Sequence, residues 1–154
     1  MGHKTHPVGF RLGVIKPWQA VWFASKGPAY AKILRQDIAI RSAITKNFQD
    51  AAIARVEIER NSQDVTVSIH TARPGVVIGK GGQRVEDLKN LLEKVSGQKP
   101  KINVQEVRQP ELEAPLVARS IAEQIERRIA FRRAMRQAMN RTMMSGAQGI
   151  KVLA

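Results

Sequence analysis

The sequence predicts an α+β fold whose elements follow the order helix, strand, strand, helix, helix, strand, with the strands forming a three-stranded sheet. Short segments alternate apolar and polar residues with a period of two, as strands do, and longer segments repeat apolar residues at helical spacing. A length of 154 residues with 43% apolar residues can fill one core of ordinary size or two small ones. A folded module is therefore expected, and wholesale disorder is not.

Residues 1–16 are expected to form an extended basic arm, because they show no steady period and contain many helix and strand breakers. The folded module is assigned to residues 17–108. Residues 109–154 are set apart from it as a C-terminal tail. At the beginning of the module lie Trp18, Trp22 and Phe23. These aromatic side chains either anchor the arm to the core or stack on bases, and the sequence leaves both open.

The first helix is predicted over residues 28–46. Pro28 suits a first helical position, and Tyr30, Leu34 and Ile38 follow at i, i+4 spacing, with further isoleucines widening the stripe. Two strands are predicted next, over residues 53–59 and 65–70, because both segments alternate. The segment 61–64 between them, Asn-Ser-Gln-Asp, has the composition of a turn.

A glycine-rich turn separates the next two helices. Pro74 opens a short apolar run that ends at the segment Gly79-Lys80-Gly81-Gly82. After it, apolar residues keep helical spacing from Val85 until Gly97 ends the helix. A third strand is predicted over residues 100–107, and Pro110 closes the module.

The C-terminal tail is helical in composition, but one straight helix does not fit it. Ile121, Ile125 and Ile129 would share a face with Arg132 and Arg136 if the helix were continuous. We therefore predict two helices with a break near residues 129–131. The second of them should present three arginines to solvent, at positions 132, 133 and 136.

The net charge points to a polyanionic partner. With 26 Lys and Arg against 13 Asp and Glu, the formal charge is +13, which favours a nucleic acid or an anionic membrane surface. Residues 1–52 carry +6, residues 53–107 carry +2 and residues 108–154 carry +5. The absence of cysteine excludes disulfides, thiolate catalysis and Cys-built zinc sites. No apolar stretch is long enough for a membrane span, so no transmembrane helix is expected, and no membrane partner is assigned.

The glycine cluster fits one of three phosphate-related patterns. A Walker-type loop would need Gly where Pro74 stands and Ser or Thr where Gly81 stands, and a dinucleotide fingerprint would need Gly at Arg84. A Gly-x-x-Gly loop between two short helices does fit. Such a loop clamps the backbone of single-stranded nucleic acid, since glycines allow close approach and the next helix offers its positive end. A purely structural turn remains the alternative.

This order of elements around Val77-Ile78-Gly79-Lys80-Gly81-Gly82 resembles a type II KH domain. The resemblance extends along the chain to the bacterial small-subunit ribosomal protein S-three family. The segments that carry it are Gly2-His3-Lys4-Thr5-His6-Pro7, Arg11-Leu12-Gly13, Lys16-Pro17-Trp18, Trp22-Phe23-Ala24, Glu126-Arg127-Arg128, Phe131-Arg132-Arg133-Ala134-Met135 and Gly149-Ile150-Lys151-Val152.

The resemblance implies a cytoplasmic, non-enzymatic constituent of the head of the small (30S) ribosomal subunit, without cofactor or metal. It implies binding to 16S rRNA and to mRNA where mRNA enters the subunit, with basic helix residues assisting the unwinding of structured mRNA. Neighbouring small-subunit proteins ten, fourteen, four and five are the implied protein partners. The residues expected to contact RNA are Lys4, Arg11, Lys16, Arg73, Gly79, Lys80, Gly81, Gly82, Arg84, Arg128, Arg132, Arg133 and Arg136.

The resemblance also implies that residues 109–154 are the start of a C-terminal domain, with two basic helices and a last partial strand. In the family this domain continues beyond the segment that matches residues 149–152, whereas this chain stops at 154. The expected last strand therefore lacks partners here. The open explanations are a shortened product, a fragment, or support from the ribosome. This departure motivates an alternative function, a free-standing KH-type RNA-binding regulator or assembly factor.

Three local patterns favour structural explanations. His3 and His6 are too few ligands for a designed metal site. Glu57 and Glu59 share a strand and are expected to pair with Arg55 and Arg60 rather than act in catalysis. Glu123 lies one turn before Arg127 and is in position to pair with it.

Overall fold

The computed structural model describes residues 2–25, 27–61 and 64–153. The helices are Pro7–Arg11 (α1), Pro28–Asn47 (α2), Pro74–Ile78 (α3), Gln83–Ser96 (α4), Ala114–Glu126 (α5) and Phe131–Met144 (α6). The strands are Ala20–Val21 (β1), Ile53–Arg60 (β2), Val65–Thr71 (β3) and Pro100–Glu106 (β4). The α+β class and the predicted order of the main elements are confirmed.

The strands form one sheet in the order β1-β2-β3-β4. Strands β2 and β3 are antiparallel, while β1 runs parallel to β2 and β4 runs parallel to β3. The centre of the turn predicted between β2 and β3, residues 62 and 63, lies outside the described residues. The expected three-stranded sheet is corrected to four strands. Strand β1 has two residues, which is too short for a period of two to show in the sequence.

Alternation in β3 places its apolar residues against the helices. Val65, Val67 and Ile69 are fully buried in a core with Ile44 of α2 and Leu92 of α4. Burial of each such side chain contributes about 1.5–3 kcal/mol, so this layer is a large favourable contribution to folding. The same packing fixes where α3 and α4 meet, which positions the glycine segment between them.

Helix α2 buries a different stripe from the one that its first turns suggest. Asp37, Ile40 and Ile44 face the sheet, whereas Leu34 and Ile38 are largely exposed. Successive helical residues are 100° apart, so Ile40 and Ile44 lie on a different face from Leu34 and Ile38. Both faces are apolar in sequence, and contact with the sheet determines which of them is buried.

The C-terminal segment forms the two predicted helices, and the break falls at residues 127–130. A small second core joins Ile121 of α5 to Ala134 and Ala138 of α6. Ile125 and Ile129 remain partly exposed at the break.

Two expectations at the chain's extremities are corrected. Residues 149–153 contain no strand, and nothing is described for residue 154. The arm is not wholly extended, because α1 lies within it: Pro7 starts this helix and His6 caps it, its Nδ1 atom accepting a hydrogen bond from the amide of Gly9 at 3.2 Å. Among the helices of the described residues, none combines the length and the apolar composition that a bilayer crossing needs.

Candidate nucleic-acid interface

The glycine segment between α3 and α4 depends on backbone angles that side chains disfavour. Gly79, Gly81 and Gly82 have φ angles of 72°, 62° and 82°. Gly79 ends α3, its amide donating to the carbonyl of Gly75 at 2.9 Å, while Gly82 precedes α4. The segment therefore joins α3 to α4 through left-handed backbone angles, which glycine adopts without strain.

Gly79 is also held close to a side chain. A Cβ atom on Gly79 would lie 2.8 Å from Cγ of Arg84, whereas the same atom on Gly81 or Gly82 would meet nothing within 4 Å. Arg84 is fixed in turn, since its Nη1 donates to the carbonyl of Val76 at 3.0 Å and its guanidinium lies 5.8 Å from the ring centre of Phe48. The aliphatic part of the Arg84 side chain therefore packs against Gly79.

The outer side of the loop is open to solvent. Lys80 and Gly81 are exposed, and no side chain caps the first turn of α4, so its amides point outward without a side-chain acceptor. A helix of this length presents partial positive charge at its beginning, which Lys80 reinforces. Ile78 on the adjoining α3 is half-exposed and offers an apolar surface. This combination suits a phosphate backbone with bases lying beside it.

Arg73 lies at the other end of α3 from the loop. It is exposed, and its Nη1 is 3.4 Å from the carbonyl of Asp50. The structure therefore brings Arg73, Lys80 and Arg84 to one helix pair. All three residues are exposed, and the aliphatic part of Arg84 also packs against Gly79.

A second basic region occupies the junction of α5 and α6. Arg128 has a φ angle of 62°. Its amide donates to the carbonyl of Ile125 at 2.8 Å, and the amide of Ile129 donates to the backbone carbonyl of Gln124 at 3.0 Å. These two bonds form a Schellman motif, in which the left-handed position is normally glycine. The motif ends α5 and redirects the chain into α6.

Helix α6 separates its small and basic residues onto two faces. Ala134, Ala138 and Thr142 are buried, whereas the side chains on the outer face are exposed. That outer face carries Arg132, Arg133, Arg136 and Arg141. The prediction that arginines 132, 133 and 136 face solvent is confirmed.

No acidic residue lies on α6, so the helix itself provides no carboxylate to pair with these arginines. Glu123 is 3.5 Å from Nε of Arg119, and the predicted pair with Arg127 is not observed among the described residues. Exposed like charges on one helix repel one another, and a bound polyanion would relieve that repulsion.

The arm carries a third group of cations. Lys4, Arg11 and Lys16 are all exposed, and Arg11 folds back on its own helix, with Nη1 donating to the carbonyl of Pro7 at 2.9 Å. These residues lie on elements different from those of the other two groups, so the predicted RNA-contacting residues are distributed over three regions of the chain.

Sequence reasoning missed the group that fixes the segment after the arm to α2 and β2. The buried carboxylate of Asp37 accepts a hydrogen bond from Nε1 of Trp22 at 2.7 Å and one from Nε of Arg60 at 2.8 Å. Trp22 is therefore an anchor, whereas Trp18 is 63% exposed and Phe23 is 94% exposed. An acidic residue inside the apolar stripe of α2 was the available signal for this network.

Arg60 consequently does not pair with Glu59 as expected. The other expected pair is present, since Glu57 lies 2.8 Å from Nε of Arg55. Glu57 also lies 3.1 Å from Nε2 of His70, a partner that the sequence did not suggest. Burial disfavours the charged carboxylate, but hydrogen bonds from Arg55 and His70 outweigh it and lower the pKa of Glu57 from its usual 4.5.

Arg55 extends this cluster to the C-terminal helices. Its Nη1 lies 3.3 Å from the carboxylate of Glu113, which immediately precedes α5. The cluster therefore links β2 and β3 to the start of α5.

The fold and the glycine loop define a KH-domain protein with a basic helical extension. Residues 39–112 match the sequence model described as the KH domain, and residues 121–154 match the one described as Ribosomal protein S3, C-terminal domain. The chain belongs to the family of the small ribosomal subunit protein uS3.

Individual relatives support that assignment along the whole chain. Proteins named small ribosomal subunit protein uS3 from Dehalococcoides mccartyi and Chloroflexus aurantiacus are both 58% identical, over 100% and 99% of this chain. The corresponding protein of Lacticaseibacillus paracasei is 54% identical over 100% of this chain and 69% of its own length. The chain spans about half the length of the Dehalococcoides relative, at 55%.

Proposed function

We propose that this chain is an RNA-binding structural constituent of the small ribosomal subunit in the cytoplasm, with no enzymatic activity. The observation that carries the proposal is similarity along the full chain to proteins named as components of that subunit. A charge of +13 agrees with it, because a protein embedded in rRNA must offset the charge of many phosphates.

The glycine loop is proposed to hold a single-stranded segment of 16S rRNA. The positive φ angles bring the backbone of Gly79 and Gly81 to the surface without side chains, so sugar and phosphate can approach closely. Lys80 supplies charge, and the uncapped amides at the start of α4 supply hydrogen-bond donors. Arg73 and Arg84 flank this site, with Arg84 acting chiefly through the loop that it supports.

The arm is proposed to add further rRNA contacts through Lys4, Arg11 and Lys16. All three are exposed, and the bond between Trp22 and Asp37 fastens the segment that follows the arm to the folded module. A tethered arm loses less freedom on binding than an untethered one, so its phosphate contacts contribute more to affinity.

The outer face of α6 is proposed to contact mRNA where it enters the subunit. Arg132, Arg133 and Arg136 point to solvent on a helix whose opposite side is packed, and Arg128 precedes it. Rigid, closely spaced cations can hold the two strands of a hairpin as they separate, which would assist unwinding without a source of chemical energy. Small-subunit proteins ten and fourteen in the head, and four and five near the mRNA, are the proposed neighbours.

Sucrose-gradient sedimentation tests the ribosomal assignment. The tagged chain is expressed, the lysate is washed at high salt, and the fractions are probed for the chain and for 16S rRNA. Co-sedimentation with the small subunit after the wash is expected, because an embedded protein is retained by packing as well as by salt-sensitive phosphate contacts. Release into the light fractions would contradict the assignment and favour the free-standing KH-type regulator.

A further inference from the structure

Two aromatic side chains beside β1 are exposed to solvent. Trp18 is 63% exposed and Phe23 is 94% exposed, and they lie on either side of this short strand. Aromatic side chains normally bury most of their surface. Trp22, which lies between them in sequence, does so, with its ring centre 5.4 Å from that of Tyr30. The rings of Trp18 and Phe23 are therefore largely free to contact a partner.

The backbone that carries these two rings is held in place. The carbonyl of Gln19, directly after Trp18, accepts a hydrogen bond from the amide of Ile58 at 3.0 Å and one from Nη2 of Arg41 at 2.9 Å. Trp22, directly before Phe23, donates to the buried Asp37 at 2.7 Å. A partner that covers either ring therefore gains contact without first having to order this part of the chain.

The charge around the rings is of one sign. No Asp or Glu precedes Asp37 in the sequence, whereas Arg11 and Lys16 are both exposed. Lys16 lies two residues before Trp18, and its amide donates to the carbonyl of Arg11 at 3.0 Å within an ordered turn. Aromatic rings among cations are typical of surfaces that hold single-stranded nucleic acid, because bases stack on the rings and phosphates lie near the cations. An apolar protein partner would cover the rings but leave the cations unpaired.

We propose that Trp18 and Phe23 each stack on an unpaired base of single-stranded RNA, and that Lys16 lies against a neighbouring phosphate. Every base has a π face, so this surface accepts any base and does not read sequence. The inference rests on the proposed RNA-binding function. It adds base contacts to the phosphate contacts of the arm and to the backbone contacts of the glycine loop.

Tryptophan emission tests the stacking directly. The probe is a short labelled oligouridylate, and its binding to the intact chain is followed by anisotropy and by quenching of tryptophan. The chain has two tryptophans, so Trp18→Phe leaves Trp22 as the only emitter. The unmodified chain should lose emission as RNA binds, because a stacked base quenches Trp18. The Trp18→Phe variant should keep its affinity to within about twofold, since phenylalanine also stacks, and should show little quenching.

Affinity measurements separate stacking from general apolar contact and from charge. Trp18→Leu and Phe23→Leu keep an apolar side chain but remove the ring, and each should weaken binding about tenfold. Val14→Ala is the matched control, because Val14 is 83% exposed on the same segment but has no π face, and it should bind as the unmodified chain does. Lys16→Gln should lower the slope of log affinity against log salt by about one, whereas Trp18→Leu should leave that slope unchanged.

The outcomes distinguish this inference from the proposed function. If the intact chain binds the RNA but Trp18→Leu and Phe23→Leu bind equally well and emission does not fall, stacking is overturned and the exposed rings are left to a protein partner. If the intact chain does not bind the RNA, the proposed function and the stacking fail together. Both rings are exposed, so the leucine variants should unfold at the same temperature as the unmodified chain. Weaker binding by folded leucine variants, with Val14→Ala unaffected, supports the stacking surface.

Discussion

At the scale of single residues, Gly79 shows how one position can satisfy two constraints at once. Its φ of 72° is combined with a ψ of −179°, a region that residues with a side chain avoid strongly. The space where a Cβ would project is filled by the aliphatic part of Arg84. The loop is thereby closed on its inner side and left bare on its outer side, as a backbone clamp requires.

Replacing Gly79 with alanine should destabilise the chain by about 2–4 kcal/mol, from backbone strain of about 1–3 kcal/mol and from the clash with Arg84. Gly81→Ala is the matched control, because Gly81 also has a positive φ but open space around it. It should cost about 1–2 kcal/mol. Urea unfolding followed by circular dichroism measures both. Equal losses in the two variants would show that Arg84 does not confine Gly79.

Glu57 is expected to make stability depend on pH. Its pKa lies below the usual 4.5, so the ionised carboxylate stabilises the fold above that pH, and this contribution is lost as the pH falls through the lowered value. Glu57→Gln should therefore flatten the fall in the free energy of unfolding between neutral and acid pH. Urea titrations at several pH values measure it, with the exposed Glu59→Gln as control for loss of one carboxylate. An unchanged slope for Glu57→Gln would contradict the role of the cluster.

At the scale of elements, the junction of α5 and α6 depends on a residue in an unfavourable conformation. Arg128 takes the left-handed position that ends α5, although a side chain there costs about 1–2 kcal/mol relative to glycine. Such strain is often retained at functional positions, and Arg128 places a cation directly before the basic face of α6.

Arg128→Gly is accordingly expected to raise the free energy of unfolding by about 0.5–1 kcal/mol, the relieved strain less the added freedom of the unfolded chain. The same variant should bind single-stranded RNA more weakly. Arg127→Gly is the control, since Arg127 has a φ of −77° and gains nothing from glycine. Thermal unfolding and anisotropy provide the two readouts. A less stable Arg128→Gly variant would show that the left-handed angle is not strained here.

Long-range contacts also decide which short elements form. Strand β1 exists because Ile58 donates to the carbonyl of Gln19 at 3.0 Å and Arg41 donates to that same carbonyl at 2.9 Å. Neither partner is a neighbour in sequence. Periodicity therefore predicted the helices and strands whose own residues repeat regularly. It missed β1, which forms through hydrogen bonds to residues distant in sequence.

At the scale of the whole molecule, charge is separated from the packed core. Residues 53–107, the central part of the module, carry +2, and most of the charge lies in residues 1–52 and 108–154. Phosphate contacts from the flanking segments would supply most of the affinity for RNA. The glycine loop would recognise the backbone shape of single-stranded RNA.

Translation of structured mRNA tests the proposed role of α6. Ribosomes that contain Arg132→Ala together with Arg133→Ala should assemble normally, since both side chains are exposed, yet should elongate more slowly through a stable hairpin. The comparison is with an unstructured message of the same length, and Gln137→Ala with Asn140→Ala serves as the neutral control on the same helix. Normal speed through the hairpin would remove the unwinding role from this face.

Local patterns were sufficient for much of this protein. The class of fold, the bounds of α2, β2, β3 and α4 to within a residue or two, the glycine loop and the break between α5 and α6 all followed from periodicity, helix-ending signals and glycine spacing. These features are encoded within a few residues of each position, so they can be read without knowing what packs against them.

Other features depended on contacts between distant parts of the chain. The pairing of Asp37 with Trp22 and Arg60 depends on how α2 meets the sheet. The cluster of Glu57 with His70 depends on the pairing of β2 with β3, and the burial of the Thr142 hydroxyl depends on the packing around α6. A side chain's partner and burial are set by packing across the fold, and a one-dimensional pattern does not contain that information.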